Sequence, residues 1–91
     1  MSTIKQGEYR GYDYDRMIVR FTLMDDDAVV PCSISTVAMD GLEKGASAKA
    51  DREAQFIRLR LRIEEQAAHK LRNGELEGTP RGVVLRSIDF P

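Results

Sequence analysis

The sequence predicts an α+β domain in which a small antiparallel sheet of about three strands carries one short and one long helix on one face. Two segments before residue 35 alternate apolar and polar residues, as half-buried strands do. A long run without proline or glycine fills the centre, and a segment rich in β-branched residues lies near the end. The predicted order is strand, strand, helix, helix, strand, in a single domain covering residues 1–91.

The first predicted strand covers residues 17–23. Its apolar face comprises Met17, Val19, Phe21 and Leu23. The residues that follow, Asp25-Asp26-Asp27, are interpreted as a solvated hairpin turn, because Asp bonds its own backbone in turns. A calcium loop would close with a glutamate at its twelfth position, and Thr36 stands there.

The return strand covers residues 28–34, with Val30, Cys32 and Ile34 on one face. Because Pro31 has no backbone N–H, we expect this strand to lie at a sheet edge or to carry Pro31 at an outward position. The first strand is then the expected central strand. Cys32 is the only cysteine and is interpreted as a buried strand residue, because one thiol cannot form an internal disulfide or a multi-thiolate metal site.

Two helices are predicted after these strands. Ser35 or Thr36 caps the short first helix, and Gly45 ends it. Ser47 opens the long second helix, and Asn73-Gly74 closes it with residues that tolerate a left-handed backbone.

Two further segments have residue patterns that resemble a strand, and they receive different assignments. Residues 58–63 alternate arginine with leucine or isoleucine, but they lie inside the run 48–73, which is too long for a strand and rich in helix formers. Residues 82–90 follow a loop at 75–81 and are predicted as the third strand.

The apolar residues of the second helix spread over about 200° of a helical wheel, which is wider than the stripe of a surface helix. They are Phe56, Ile57, Leu59, Leu61, Ile63, Ala67, Ala68 and Leu71. We expect the sheet to cover one flank of this arc, and the first helix or a second subunit to cover the other. Arg60 and Glu64 fall near its centre, where they form either a structural ion pair or an anion or partner site.

The composition argues against several kinds of function. The 91 residues carry a formal net charge of -1. A dedicated nucleic-acid binder is expected to carry a strongly positive charge instead. No apolar run approaches the length of about 20 residues that a membrane-spanning helix needs. No nucleophile–base pair, metal cluster or phosphate loop can be assembled, so we expect no catalytic residue, no metal and no cofactor.

The histidine and the tyrosines are also given structural interpretations. His69 is interpreted as an exposed helix residue, because only Glu65 lies at a spacing suited to a shared metal. Tyr9, Tyr12 and Tyr14 are expected to form an amphipathic lid over the sheet edge.

Several residues resemble a known family. Phe56, Arg60, Ile63-Glu64 and Ala67, following a start such as Ile18-Val19-Arg20-Phe21, resemble the small bacterial proteins grouped as domain of unknown function 1488. The resemblance spans nearly the whole chain. It implies a compact α+β domain without an assigned activity, and it places Arg60 and Glu64 on motif positions.

These observations favour a non-catalytic cytoplasmic domain that acts through protein contacts, as a homodimer. The dimer is expected because so short a chain carries so wide an apolar arc, and the cytoplasm because residues 1–6 resemble no export signal. The alternative is a nucleic-acid-associated regulator. Its phosphate contacts would be Arg58, Arg62, Lys70 and Arg72.

Overall fold

The computed structural model describes residues 3–43 and 51–90, and they form an α+β fold. The strands are β1 (Ile4–Asp13), β2 (Ile18–Asp25), β3 (Ala28–Ser35) and β4 (Val83–Leu85). The helices are α1 (Thr36–Glu43) and α2 (Arg52–Arg72), and a short 3₁₀ helix (Ser87–Asp89) follows β4. The sheet order is β1-β2-β3-β4, with β3 and β4 parallel and the other neighbours antiparallel. The predicted class is confirmed, with a mixed sheet of four strands in place of about three antiparallel ones.

β1 is the additional strand. Tyr9 and Tyr12 belong to this edge strand and pack against the core, whereas Tyr14 lies in the following turn with 79% of its surface exposed. β1 pairs with β2 through two register shifts, one between Gln6 and Tyr9 and one between Tyr9 and Gly11. The expected lid of tyrosines is therefore wrong, because the tyrosine segment extends the sheet instead of covering its edge.

β2 is an interior strand, as predicted. Val19, Phe21 and Leu23 are buried, and Phe21 lies 5.1 Å from the Phe56 ring of α2, centroid to centroid. Met17 does not share this face. It lies in the preceding turn at φ +55° and is half exposed.

β3 has neighbours on both sides, so the expectation that it lies at an edge is wrong, and the outward placement of Pro31 holds instead. Pro31 is exposed and pairs with Thr22 of β2, while the parallel pairing with β4 begins one residue later at Cys32. The missing N–H therefore removes no bond of the β3–β4 ladder. Cys32 and Ile34 are buried, as predicted.

The helix starts follow capping chemistry. Ser35 caps α1, because its Oγ accepts from Ala38 N at 3.1 Å. α2 begins at Arg52 under Asp51, whose Oδ1 accepts from Glu53 N at 2.9 Å, so the helix opens later than predicted. The predicted boundaries Gly45 and Ser47 lie outside the described residues. Asn73 and Gly74 end α2 as predicted, with Gly74 at φ +72°.

The core lies between α2 and the sheet. It joins Phe56, Ile63 and Ala67 of α2 to the inward residues of β2, β3 and β4. The predicted third strand is shorter than expected, since only 83–85 pair with β3 and the chain turns into the 3₁₀ helix after Arg86. No helix in the described parts of the chain is long and apolar enough to cross a membrane.

Candidate functional site

The buried face of α2 is narrower than the sequence predicted. Phe56, Leu59 and Ile63 are at most 9% exposed, whereas Ile57 is 56% and Leu61 81% exposed. Each residue along a helix turns about 100° further around the axis, so Ile57 and Leu61 lie together on one side, away from the core. The arc of about 200° is therefore wrong as a description of the buried face. We call these two residues the exposed strip of α2.

Arg60 and Glu64 lie between the core face and the exposed strip. Arg60 Nε donates to Glu64 Oε2 at 2.8 Å, and Arg60 Nη2 donates to the Gly7 carbonyl of β1 at 3.0 Å. Gln6 Nε2 donates to the other oxygen of Glu64 at 3.1 Å. The pair thus exists, but it lies at the flank of the buried face, where it joins α2 to the edge strand, and not at the centre of an apolar arc. Its side chains remain 23% and 12% exposed.

A second polar cluster joins α1 to α2. Arg52 Nη1 donates to Asp40 Oδ1 at 2.7 Å and to Gln55 Oε1 at 2.6 Å, and Gln55 Nε2 donates to Asp40 Oδ1 at 2.9 Å. The hydrogen bond from Arg52 lowers the pKa of Asp40 and outweighs the effect of burial. Sequence reasoning missed this cluster, because two residues on different helices carry no spacing signal. The cluster therefore links Asp40 of α1 to the first turn of α2.

The four basic residues considered for nucleic-acid contact do not form one free surface. Arg58 makes two hydrogen bonds to Glu43 of α1, at 2.6 and 3.0 Å, and these lower the pKa of Glu43. Lys70 is buried, and its Nζ donates to Val84 O at 2.8 Å and lies 3.2 Å from Asp89 Oδ1. Arg62 and Arg72 are exposed.

The remaining candidates have ordinary structural surroundings. Cys32 is 4% exposed, and burial raises its pKa to about 12, so the thiol is protonated at neutral pH. His69 is exposed, as predicted, with its Nε2 3.2 Å from Asn73 Nδ2. Asp26 forms the predicted turn between β2 and β3 at φ +54° and accepts from Thr3 N at 2.9 Å. Across residues 3–43 and 51–90, no three His, Cys, Asp or Glu side chains are placed to hold a metal ion.

The fold and the flank of α2 define a class of small α+β proteins in which a long helix covers one face of a mixed four-stranded sheet. The chain belongs to the family described as "Protein of unknown function (DUF1488)", which it matches over residues 6–80. A crystal structure of a DUF1488 protein of unknown function from Shewanella loihica PV-4 is similar, with a TM-score of 0.75 at 22% identity. That match covers 91% of this chain and 92% of the other, and it shows a shared fold. No curated protein matches the chain.

Proposed function

We propose that this protein is a non-catalytic domain that acts through protein contacts and forms a homodimer through the exposed strip of α2. The main observation behind this proposal is the exposure of two large aliphatic side chains one helical turn apart. Ile57 is 56% exposed and Leu61 is 81% exposed. Burying such a side chain contributes about 1.5–3 kcal/mol, so leaving both in water forgoes stabilisation that a partner would supply.

The geometry of the strip suits a second copy of the same chain. A twofold dimer places the same patch on both subunits, so two α2 helices can pack with Leu61 near the axis and each Ile57 beside it. Arg60 and Glu64 hold the adjacent flank against β1, which makes the strip a rigid surface. A preformed surface lowers the entropy lost on association.

The experiment is sedimentation velocity over a dilution series, with Leu61→Arg as the test variant. Wild type is expected to be dimeric at high concentration, and Leu61→Arg monomeric at every concentration, because two arginines would meet at the axis. Ile88→Arg is the matched control: Ile88 is 82% exposed in the 3₁₀ helix, and its replacement should leave the dimer intact. A wild-type protein that stays monomeric at high concentration would refute the dimer.

The proposal that the domain is non-catalytic is supported by the state of its ionisable groups. Arg52 and Arg58 engage the carboxylates of Asp40 and Glu43 and lower their pKa values, which is the opposite of what a general acid requires. The buried, protonated thiol of Cys32 is a poor nucleophile. A reduced, unpaired cysteine also suits the cytoplasmic location that we propose.

Nucleic-acid binding has weaker support, because Arg58 and Lys70 are already hydrogen-bonded to acceptors within the protein. Arg62 and Arg72 remain as exposed candidates. Phosphate contacts would make binding fall steeply with salt. Fluorescence anisotropy at low salt tests this alternative, and an absence of binding would remove it.

A further inference from the structure

β1 forms one edge of the sheet, and its register shows which of its backbone groups point outwards. The two-residue turn at 26–27 makes the residues on either side of it exchange hydrogen bonds. Bonded positions alternate along a strand, so the N–H and C=O of Phe21 point to β3. Tyr9 is the partner of Phe21 on β1, so its own N–H and C=O point away from the sheet. The same alternation turns the backbone groups of Gln6 and Tyr12 outwards.

The outward positions of β1 are spaced evenly about Tyr9. The register shifts insert one extra residue between Gln6 and Tyr9, and another between Tyr9 and Gly11. Two residues therefore separate Tyr9 from Gln6, and two separate it from Tyr12. A twofold axis at Tyr9 exchanges Gln6 with Tyr12, so the irregular positions of one strand meet those of an identical strand in step. A regular strand of another protein would meet two bulges that it does not match.

The charged side chains of β1 are self-complementary about the same axis. Antiparallel pairing places Glu8 opposite Arg10 of the second copy, and a twofold axis repeats this contact. Within one chain these two side chains lie 3.7 Å apart, beyond hydrogen-bond distance, and both are more than half exposed, so each is accessible to a second copy. Lys5 falls opposite Asp13, which is the weaker contact because Asp13 already accepts from Arg20. No two like charges of β1 face each other in this register.

The contacts of α2 place its exposed strip on the same side of the molecule as this edge. Phe56 lies 5.5 Å from Tyr9, ring centroid to ring centroid, and Arg60 donates to the Gly7 carbonyl, so α2 follows β1 in the opposite direction. The exposed strip lies beyond Arg60, on the side away from the core, and it therefore faces past β1. An axis perpendicular to the sheet at Tyr9 brings the strips of two copies together on one face of the sheet.

We propose that β1 pairs with β1 of a second copy about Tyr9, so that four strands from each copy form one continuous sheet. This inference rests on the proposed dimer and names a second contact surface for it. Backbone hydrogen bonds at Tyr9, and between Gln6 and Tyr12, supply the strand pairing, as when an extended strand adds to a sheet edge. β1 has ten residues and β4, at the opposite edge, has three, so the pairing covers the long edge of the sheet.

The first test is a disulfide trap between two variants mixed in equal amounts. Glu8→Cys and Arg10→Cys place their thiols opposite each other in a mixed dimer, with Cβ atoms about 4.5–5.5 Å apart. Oxidation should give far more covalent dimer in the mixture than in either variant alone, because identical positions are diagonal neighbours about 7–8 Å apart. Lys5→Cys mixed with Arg10→Cys is the matched control and should show no such excess. The native Cys32 is buried and present in every sample.

The second test exchanges the charges of the central pair. Arg10→Glu faces Glu8 of the second copy, and Glu8→Arg faces Arg10, so each single variant should raise the Kd of the dimer about tenfold in sedimentation velocity. The double variant restores opposite charges at both contacts, and its Kd should return towards the wild-type value. Arg62→Glu, at an exposed position of α2 away from β1, is the matched control and should leave Kd unchanged. Urea unfolding of each variant separates a weaker dimer from a misfolded chain.

The outcomes separate this inference from the proposed dimer. A dimer that Leu61→Arg dissociates, but that shows neither the cross-link between Glu8→Cys and Arg10→Cys nor the effect of the charge exchange, would overturn the β1 pairing and retain the dimer. Cross-linking and charge rescue in a dimer that survives Leu61→Arg would support the β1 pairing and overturn the contact through the exposed strip. A wild-type protein that is monomeric at every concentration would overturn both, and the edge of β1 would then be open to a strand of a different protein.

Discussion

Arginine side chains join the elements of this protein at the edges of its core. Arg60 connects α2 to the backbone of β1, Arg52 and Arg58 connect α2 to α1, and Arg86 is paired with Glu77 across the loop that precedes β4. The planar guanidinium suits this role because it donates several hydrogen bonds in fixed directions. The hydrogen bonds from Arg52, Arg58 and Arg86 lower the pKa values of Asp40, Glu43 and Glu77.

The first prediction concerns Arg60. Arg60→Ala removes the bonds to Glu64 and to the Gly7 carbonyl, leaving a carboxylate that is 12% exposed with Gln6 as its remaining hydrogen-bond donor among the described side chains. The free energy of unfolding should fall by about 2–3 kcal/mol in urea titrations, whereas the exposed Arg62→Ala should change it by no more than about 0.5 kcal/mol.

The double variant Arg60→Leu with Glu64→Met separates charge from packing. It should recover part of the loss, because no charge is left desolvated, but the Gly7 carbonyl still lacks its donor. Equal unfolding curves for Arg60→Ala and Arg62→Ala would mean that the ion pair contributes no net stability.

The second prediction concerns pH. The hydrogen bond from Arg52 lowers the folded-state pKa of Asp40 below its ordinary value of 3.8, so the unfolded chain takes up a proton at higher pH than the folded protein. The stabilisation is complete above that ordinary value and is lost as the pH falls through the lower folded pKa. Asp40→Asn should therefore lose less stability than wild type between pH 6 and pH 2, roughly, in urea unfolding.

Asp27→Asn, at an exposed turn residue, is the matched control for this pH series, and it should follow the wild-type curve. If Asp40→Asn and wild type lose stability in parallel below the ordinary pKa of Asp40, the pairing with Arg52 contributes nothing to acid sensitivity.

At the scale of elements, the third prediction compares two glycines. A Cβ at Gly7 would overlap the hydroxyl and carbonyl of Thr22 on β2, whereas a Cβ at Gly41 of α1 would meet no atom within 4 Å. Gly7→Ala should cost about 2–3 kcal/mol by forcing β1 away from β2. Gly41→Ala should gain about 0.5–1 kcal/mol from helix propensity. Thermal unfolding followed by circular dichroism measures both, and a neutral Gly7→Ala would show that the close approach of the strands relaxes without cost.

The elements that the sequence predicted are those whose pattern is local. β2 and α2 follow from apolar periodicity, and the end of α2 follows from Asn73-Gly74. These signals depend on neighbouring residues alone. β1 was missed because Gly7, Gly11 and many polar residues obscure any alternation, and its two register shifts break the period. The strand conformation of β1 depends on its pairing with β2. This pairing leaves no pattern in the local sequence.

The candidate site was predictable only in part, for a related reason. The spacing of Arg60 and Glu64 identified an ion pair within one helix. The contacts of that pair with Gly7 and Gln6 depend on how β1 is placed, and the pairing of Arg52 with Asp40 depends on how α1 meets α2. Leu61 was assigned to the buried side because a helical wheel shows which residues share a face but not the width of the face that the sheet covers.

At the scale of the whole molecule, the fourth prediction links stability to concentration. If folding is coupled to dimer formation, unfolding depends on mass action, and Tm should rise by about 3–4 °C for each tenfold increase in concentration, given about 2.1 cal/mol/K of unfolding entropy per residue. Leu61→Arg should show a Tm independent of concentration, and Ile88→Arg should behave like wild type. Differential scanning calorimetry measures all three, and a concentration-independent wild-type Tm contradicts the coupling.

The parallel pairing of β3 with β4 has a consequence for the order of assembly. β1, β2 and β3 follow one another through short turns, so they can form as soon as residue 35 has left the ribosome. Val83 of β4 pairs with Cys32 of β3. β4 is synthesised only after α2. Contacts so distant in sequence form late, and until then the edge of β3 is open to strands of other chains. Pulsed hydrogen exchange during refolding should therefore protect amides of β2 before those that pair β3 with β4, and simultaneous protection would show instead that the sheet closes in one step.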